Sequence, residues 1–310
     1  MTTPHEFLAE DLIHSPQKFQ DLVPPAKIAV FGDPISHSRS PEMHNAALRA
    51  AGINIQYVRI RVRKDELATS LHALPAAGFL GANITIPHKA STLKLLDHVN
   101  DHALISATVN TVAVEGDGSL KGYNTDGPGL VRAIREEFQM DISDLKILIL
   151  GAGGGAGRAI AAQCAQEGCE RLVLANRSPE KVEALKTQLE PRLRNERLLG
   201  PTDRLIAIGL DETSLARELP RTDLLINATS VGMKTTDPQL VPERLLSPHL
   251  MVYDAVYSTT KTRLLLDAEA KGARTANGLS MLLHQGALAF EIWLNRPPSL
   301  DAMRQGLASA

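Results

Sequence analysis

The residues of this 310-residue chain that could do chemistry gather in a few short runs, and the densest is Lys146-Ile-Leu-Ile-Leu-Gly-Ala-Gly-Gly-Gly-Ala-Gly-Arg-Ala159. A continuous apolar stretch leads into glycines at 151, 153, 154, 155 and 157, and an Ala-rich helical pattern then runs to Glu167. Strand, glycine turn and helix in that order make a seat for a pyrophosphate. Gly151 permits the tight turn, Gly153 lets a backbone approach the phosphates, and Ala156 or Gly157 lets helix and strand pack closely. The new helix adds unpaired N–H groups and the positive end of its dipole. A second apolar run, Arg171-Leu-Val-Leu-Ala175, arrives at βαβ spacing and ends in Asn176-Arg177-Ser178. A site for NAD usually carries Asp or Glu there to accept from the ribose hydroxyls, whereas an arginine fork suits a 2′-phosphate. The pattern therefore reads as a site for NADP.

A second set of polar residues lies upstream. The strand Lys27-Ile-Ala-Val-Phe31 runs into Gly32-Asp-Pro-Ile-Ser-His-Ser-Arg-Ser-Pro-Glu-Met-His-Asn45. Ser40 before Pro41 reads as an N-cap, and Ser38 and Ser40 beside a helix start could equally hold a carboxylate. Gly81-Ala-Asn-Ile-Thr-Ile-Pro-His-Lys89 reads as a strand stopped by Pro87, with Asn83, Thr85 and Lys89 near its C-terminal end, where open α/β sheets bind ligands. A lysine at a helix start conflicts with the helix dipole, which hints at function. Ala107 to Val114 reads as a further strand carrying Asn110, Glu115-Gly-Asp-Gly118 as a turn, and Asn124 and Asp126 as a turn amide and an N-cap.

The elements that must position these groups follow a regular order. Strands are expected at 146–150, 171–175, 204–208, 223–227, 250–254 and 273–276, separated by helical or loop segments, which describes a doubly wound parallel sheet. The fourth ends in Asn227-Ala-Thr-Ser-Val-Gly-Met233 and the fifth in Asp254-Ala-Val-Tyr257. Both lie where a nicotinamide would sit if the pyrophosphate rests on Gly153. After the sixth, a helix is expected with Leu279, Leu282, Leu283, Phe290 and Trp293 on its apolar stripe and His284 and Gln285 among them. Upstream, helices are expected from Ser40 to Ala51, from Lys64 to Leu74 and from Pro87 to Leu96, and a strand at 55–60. Residues 1–26 read as an extension with a short helix over 7–13, either packed on the body or disordered.

Length suggests about two domains, and 44% apolar with 22% charged residues is an ordinary globular profile. A net charge of −2, from 33 basic and 35 acidic residues, gives no electrostatic case for nucleic acid or a membrane surface. No apolar run approaches the roughly 18 residues of a membrane span, and the acidic N-terminus lacks the apolar core of a signal peptide. Cys164 and Cys169 fit neither a metal site nor a disulfide framework, no histidine or acid lies at ligand spacing to His284, and no metal is expected. A reducing cytoplasm is the simplest setting.

Taken together, the motifs resemble the shikimate dehydrogenase family, including quinate/shikimate dehydrogenases, from about Ile28 to Trp293. They are the Gly32–Pro41 and Gly81–Lys89 runs, Val109-Asn-Thr, Asn124-Thr-Asp-Gly, the glycine loop, Asn176-Arg-Ser, Asn227–Met233 and Met281-Leu-Leu-His-Gln-Gly. The resemblance implies a two-domain α/β fold. Residues 1–125 plus 278–310 would form an N-terminal α/β substrate domain completed by C-terminal helices, and 126–277 a doubly wound NADP-binding Rossmann domain. It implies NADP-linked interconversion of 3-dehydroshikimate and shikimate, by a monomer or homodimer, with Lys89 and Asp126 as the catalytic pair. It implies that Ser38 and Ser40 hold the substrate carboxylate and that Asn83, Thr85, Asn110 and Gln285 bond the ring hydroxyls or their neighbours. Cofactor contacts are implied at Gly151, Gly153, Gly154, Gly155, Ala156, Asn176, Arg177, Ser178, Thr229, Val256 and Gly278. The chain departs from the family at Thr108, commonly Ala, at Ser178, commonly Thr, and in Tyr257-Ser-Thr-Thr260, which lacks the usual Pro.

Overall fold

The structure is a computed structural model that describes residues 6–193, 204–234, 236–257 and 261–309. It divides into two compact units, one of Met1–Thr125 with Leu283–Ala310 and one of Asp126–Leu282.

In the first unit, strands β1 (Phe7–Leu8), β2 (Ala26–Gly32), β3 (Gln56–Arg61), β4 (Gly81–Ile84), β5 (His98–Val99), β6 (Thr111–Val114) and β7 (Leu120–Tyr123) form a seven-stranded sheet in the order β1-β3-β2-β4-β6-β7-β5. Pairing is parallel from β1 to β4, and antiparallel from β4 to β6 and β6 to β7. The N-terminal segment does not stand apart. Phe7–Leu8 pairs with β3, a helix covers Ala9–His14, and Leu12 and Phe19 are wholly buried in the core with Phe79 and Leu71.

Three local expectations shift. The strand foreseen from Ala107 starts only at Thr111, because a helix occupies Asp101–Ser106 and closes on Ala107 in the left-handed region. The helix foreseen over 64–74 spans Leu67–Ala73. The one foreseen after Pro87 is a single turn at Lys89–Thr92 followed by a 3₁₀ turn.

In the second unit, strands β8 (Lys146–Leu150), β9 (Arg171–Asn176), β10 (Leu205–Gly209), β11 (Leu224–Asn227), β12 (Met251–Asp254) and β13 (Arg274–Asn277) order as β10-β9-β8-β11-β12-β13, all parallel. The order reverses direction between β8 and β11, which is the doubly wound arrangement and its ligand-binding switch point. Leu148, Leu150, Val173, Leu225 and Val252 pack into one core cluster. Cys164 and Cys169 are free and buried, Cys164 within the helix Gly155–Gln166 and Cys169 beyond its end. Among the described residues no helix is long and apolar enough to cross a membrane.

His44 is a buried titratable group of the first unit. It lies at 0% exposure, its ring stacks on Tyr57 with centroids 4.5 Å apart and planes 1° from parallel, and neither ring nitrogen has a hydrogen-bond partner among the described residues. Burial holds its pKa down to about 3, against an ordinary 6.5. The native state therefore refuses a proton that the unfolded chain accepts. Stability from this group is complete above pH 6.5 and falls by ~1.4 kcal/mol per pH unit as the pH drops toward 3. Urea unfolding of His44→Gln, whatever its absolute stability, should show a pH slope between 6 and 4 shallower by about one proton than the wild type.

Candidate functional site

The second unit carries a complete turn for a pyrophosphate. β8 ends at Leu150, Gly151 takes φ +80°, and the helix Gly155–Gln166 begins after Gly154. The first intrahelical bond is Arg158 N–H to Gly154 O at 2.8 Å, so the N–H groups of the first turn point out of the helix end. Gly154 and Gly155 are exposed there, and without side chains they leave the backbone open to a phosphate. Of the two residues expected to let helix and strand close up, Gly157 does so. A Cβ on it would lie 2.2 Å from Gly151 O, whereas Ala156 keeps its methyl half-exposed.

β9 delivers Asn176, Arg177 and Ser178 beside this turn. Asn176 Nδ2 donates to Ser178 O at 3.1 Å and lies 3.0 Å from where a Cβ of Gly153 would stand. Arg177 is exposed. Lys181, which was not singled out in the sequence, packs its Cβ equally close to Gly153. Its place four residues after Arg177 was the available signal.

The remaining strand ends share one device. Asn227, Asp254 and Asn277 lie in register across β11, β12 and β13. Each accepts the backbone N–H two residues on: Thr229 at 2.9 Å, Val256 at 3.0 Å and Leu279 at 3.0 Å. These are Asx turns, which replace the backbone acceptor lost where a strand stops. Asp254 does more. It also accepts from Asn227 Nδ2 at 2.8 Å and Thr262 Oγ1 at 2.6 Å, so one buried carboxylate ties together the segments bearing Thr229 and Val256. Burial raises its pKa despite these donors. Gly278 closes the line, where a Cβ would meet Ala255 O at 2.2 Å. Ser258 to Thr260, where the family's proline is missing, lie outside the described residues.

The first unit joins three of the other candidates, Asn83, Asn110 and Gln285, through hydrogen bonds. Asn83 and Asn110 are buried at 6% and 2% exposure. Asn83 Nδ2 donates to Asn110 O at 3.1 Å and Thr111 Oγ1 at 3.0 Å. Asn110 Nδ2 donates to Thr125 Oγ1 at 2.8 Å and to Gln285 Oε1 at 3.3 Å. The helix Leu279–Leu294 supplies Gln285, so a residue from near the chain's end joins strand-end residues from its first third.

Lys89 is half-buried, and its carbonyl accepts from Val109 N–H at 2.8 Å, which fastens it to the segment that carries Asn110. The dipole conflict expected of Lys89 carries no weight, because the helix it opens is one turn long. Thr85 follows β4 and is half-buried. Ser38 and Ser40 flank Arg39, and the helix Ser40–Ala50 starts at Ser40 itself, without a side-chain cap, so the capping role expected of Ser40 is not taken up. Arg59 Nε donates to Ser38 O at 2.9 Å while the same guanidinium pairs with Glu42, pinning the serine loop. Asp126, expected as an N-cap, is instead the first residue of the helix Asp126–Phe138 and opens the second unit, at 5% exposure.

Thr108 has a local explanation. Its hydroxyl accepts from Asn124 Nδ2 at 2.9 Å and donates to Ser106 Oγ at 3.1 Å, two bonds an alanine could not make.

The sheet order and glycine turn of the second unit define a Rossmann-type dinucleotide-binding protein, joined here to an α/β unit with a buried amide cluster. Family models refine this. Residues 30–112 match the shikimate dehydrogenase substrate binding domain, 132–231 match shikimate / quinate 5-dehydrogenase, and 278–307 match the shikimate 5′-dehydrogenase C-terminal domain. A shikimate dehydrogenase (NADP(+)) of Methanopyrus kandleri is 39% identical over 90% of this chain and 94% of that protein. The crystal structure of shikimate 5-dehydrogenase from Thermus thermophilus in complex with NADP(H) and shikimate is 32% identical, with a TM-score of 0.79 over 92% of this chain and 99% of that one. A quinate dehydrogenase from Corynebacterium glutamicum in complex with NAD is 29% identical, with a TM-score of 0.80 over 91% of this chain and 98% of that one. The chain belongs to the shikimate dehydrogenase family.

The two glycines at the helix entry should behave oppositely. Gly157→Ala forces a methyl against Gly151 O and should cost about 1–3 kcal/mol and weaken dinucleotide binding. Gly155 is exposed in the first turn of the helix, so Gly155→Ala should leave the melting temperature unchanged or slightly raised. Thermal melts of both variants, with a dinucleotide titration of Gly157→Ala, check this.

Proposed function

We propose that this protein is an NADP-dependent shikimate dehydrogenase, an oxidoreductase that interconverts 3-dehydroshikimate and shikimate on the route to chorismate and the aromatic amino acids. The observation that carries the reading is a family relationship over about nine-tenths of the chain, and Lys89 and Asp126 stand in the runs that resemble the family's motifs.

Oxidation of shikimate removes a hydride from the carbinol carbon and a proton from its hydroxyl, leaving a carbonyl. Bound NADP⁺ supplies the hydride acceptor, C4 of its nicotinamide. The chain's own residues hold and orient the reactants and move the proton. Ser38 and Ser40 hold the substrate carboxylate on a loop that Arg59 fastens through the Ser38 carbonyl. Asn83, Thr85, Asn110 and Gln285 meet the ring hydroxyls. Lys89 and Asp126 together take the hydroxyl proton, a service worth ~10²–10⁴-fold in rate.

Toward the cofactor, the N–H groups at Gly153, Gly155 and Ala156 receive the pyrophosphate, and Gly154, whose own N–H closes the turn on Gly151 O at 2.9 Å, leaves room for it by lacking a side chain. Arg177, exposed at the end of β9 with Asn176 and Ser178 beside it, pairs the 2′-phosphate, and Lys181 adds a second cation. Thr229, Val256 and Gly278, held by the Asx turns, border the nicotinamide. The substrate is a small molecule, and neither the charge balance nor the apolar pattern favours a nucleic-acid or membrane partner.

Initial rates followed by nicotinamide absorbance, with shikimate and quinate against NADP⁺ and NAD⁺, test the reading. Shikimate with NADP⁺ should dominate. Comparable quinate or NAD⁺ rates would move the protein to the quinate/shikimate branch that the Corynebacterium relative represents, and silence in all four would overturn the enzyme reading. Lys89→Ala should lower kcat by ~10²–10⁴-fold while shikimate still binds, and near-normal turnover would remove Lys89 from the pair. Arg177→Ala should raise KM for NADP⁺ at least tenfold, about 1.4 kcal/mol, and leave KM for NAD⁺ unchanged.

A further inference from the structure

Tyr57 on β3 and Asn83 on β4 flank β2 and meet beside it. The Tyr57 hydroxyl donates to Asn83 Oδ1 at 2.8 Å. Asn83 Nδ2 spends its two protons on Asn110 O and Thr111 Oγ1. A carboxamide offers two N–H donors and two oxygen lone pairs. Among the described residues, what Asn83 retains toward a ligand is therefore the second lone pair of Oδ1. It can accept from a substrate hydroxyl but has no donor left to give.

The Asn110 carbonyl, which can only accept, fixes Nδ2, and the position of Oδ1 is then held from below by the Tyr57 hydroxyl. Tyr57 is fully buried and lies face to face with the His44 ring. Trp293 stands 5.6 Å from the His44 ring and 6.2 Å from the Tyr57 ring, and Trp293 Nε1 donates to Val112 O at 2.9 Å. Gly286 admits this packing, because a Cβ there would crowd Met43 Cε at 2.2 Å and stand 3.3 Å from His44 Nε2. His44 and Ser40 share one helix. A rigid aromatic stack thus ends in one hydroxyl aimed at one amide oxygen.

We infer that Tyr57 is a positioning residue for substrate recognition, holding the Asn83 carboxamide with its oxygen toward a ring hydroxyl of the substrate. This rests on the substrate-binding role proposed above for Asn83. Without the Tyr57 donor, Nδ2 stays on Asn110 O and Thr111 Oγ1, but Oδ1 is left with an unsatisfied lone pair next to a buried ring and nothing to hold it in line with the substrate hydroxyl. Tyr57 touches no substrate in this account and acts through Asn83, in the manner of an outer residue that locks the rotamer of a contact residue.

Tyr57→Phe keeps the ring and the stack and deletes one oxygen. It should raise KM for shikimate about 3- to 10-fold, with kcat and KM for NADP⁺ within about twofold of wild type. Equilibrium binding of shikimate without cofactor should weaken by the same factor. In an Asn83→Ala background, Tyr57→Phe should add nothing further. A Tyr57→Phe enzyme with wild-type shikimate KM overturns the inference. So does a loss shared equally by shikimate and NADP⁺, or a loss of the same size in the Asn83→Ala background. If Asn83→Ala fails to fold, the split between the two KM values decides alone. Wild-type protein assayed alongside separates the two levels. Turnover of wild type with an unaffected Tyr57→Phe sinks only the positioning role, whereas a wild type that neither binds nor oxidises shikimate sinks the functional reading and this inference with it.

Discussion

The second unit depends on a single register. Leu150, Asn227, Asp254 and Asn277 end four neighbouring parallel strands at one level. Parallel pairing brings every strand's carboxyl end to the same edge of the sheet. Whatever the chain places immediately after each strand then falls along one line: the glycine turn, the Thr229 loop, the Val256 segment and Gly278. The problem at such an edge is the loss of ladder acceptors for the next N–H groups. Asn and Asp solve it three times in succession by accepting from residue i+2. The same side chains that finish the strands thereby fix the first residues of the loops that bear the candidate cofactor contacts.

The first unit meets the opposite difficulty. Its candidate residues are buried amides and hydroxyls in an apolar unit, where an unpaired polar group costs about 1–3 kcal/mol. Asn83, Asn110, Thr111, Thr125 and Gln285 offset that cost by satisfying one another. Mutual bonding also fixes which end of each amide faces outward, so the cluster's stability and its hydrogen-bond polarity are one property. A more apolar cluster would fold as well and recognise nothing, which is why local rules and function part company here.

The cofactor-side architecture was legible because its signals are local. An apolar run followed by glycines announces strand, turn and helix, and six such strands at regular spacing imply the winding. The Asn-Arg-Ser run was legible for the same reason. The failures come from contacts that sequence distance hides. Ser40 reads as a cap because Ser before Pro usually is one, yet the helix takes it in as its first residue. Ala107 to Val114 alternates like a strand, but a left-handed closure at Ala107 consumes its first half. Phe7–Leu8 has no strand signature of its own, and only the exposed edge of β3 makes it one. Tyr57 and Asn83 are separated by a whole strand and a helix, and no spacing rule joins them. Gln285 was singled out only by resemblance, because its bond from Asn110 joins positions 175 residues apart and leaves no mark on the helical stripe.

Asp254 shows what such a design demands of a buried charge. A carboxylate at 0% exposure would ordinarily protonate or be replaced by an apolar residue. Three donors converge on it, from Asn227, the Val256 backbone and Thr262. They lower its pKa, but burial outweighs them and the net shift is upward. Ionising this carboxyl therefore costs the native state some stability. An asparagine would relieve that expense and surrender one acceptor. With one acceptor oxygen in place of two, either the Thr262 bond or the pair of bonds from Asn227 and Val256 would lose its anchor. Thr262 also starts the helix Arg263–Ala270 through Leu265 N–H, so the loss would spread from the loop into the element behind it. The acid is retained because it alone accepts from both strand-end segments and the following helix at once, and the loops it joins are those that border the proposed nicotinamide position.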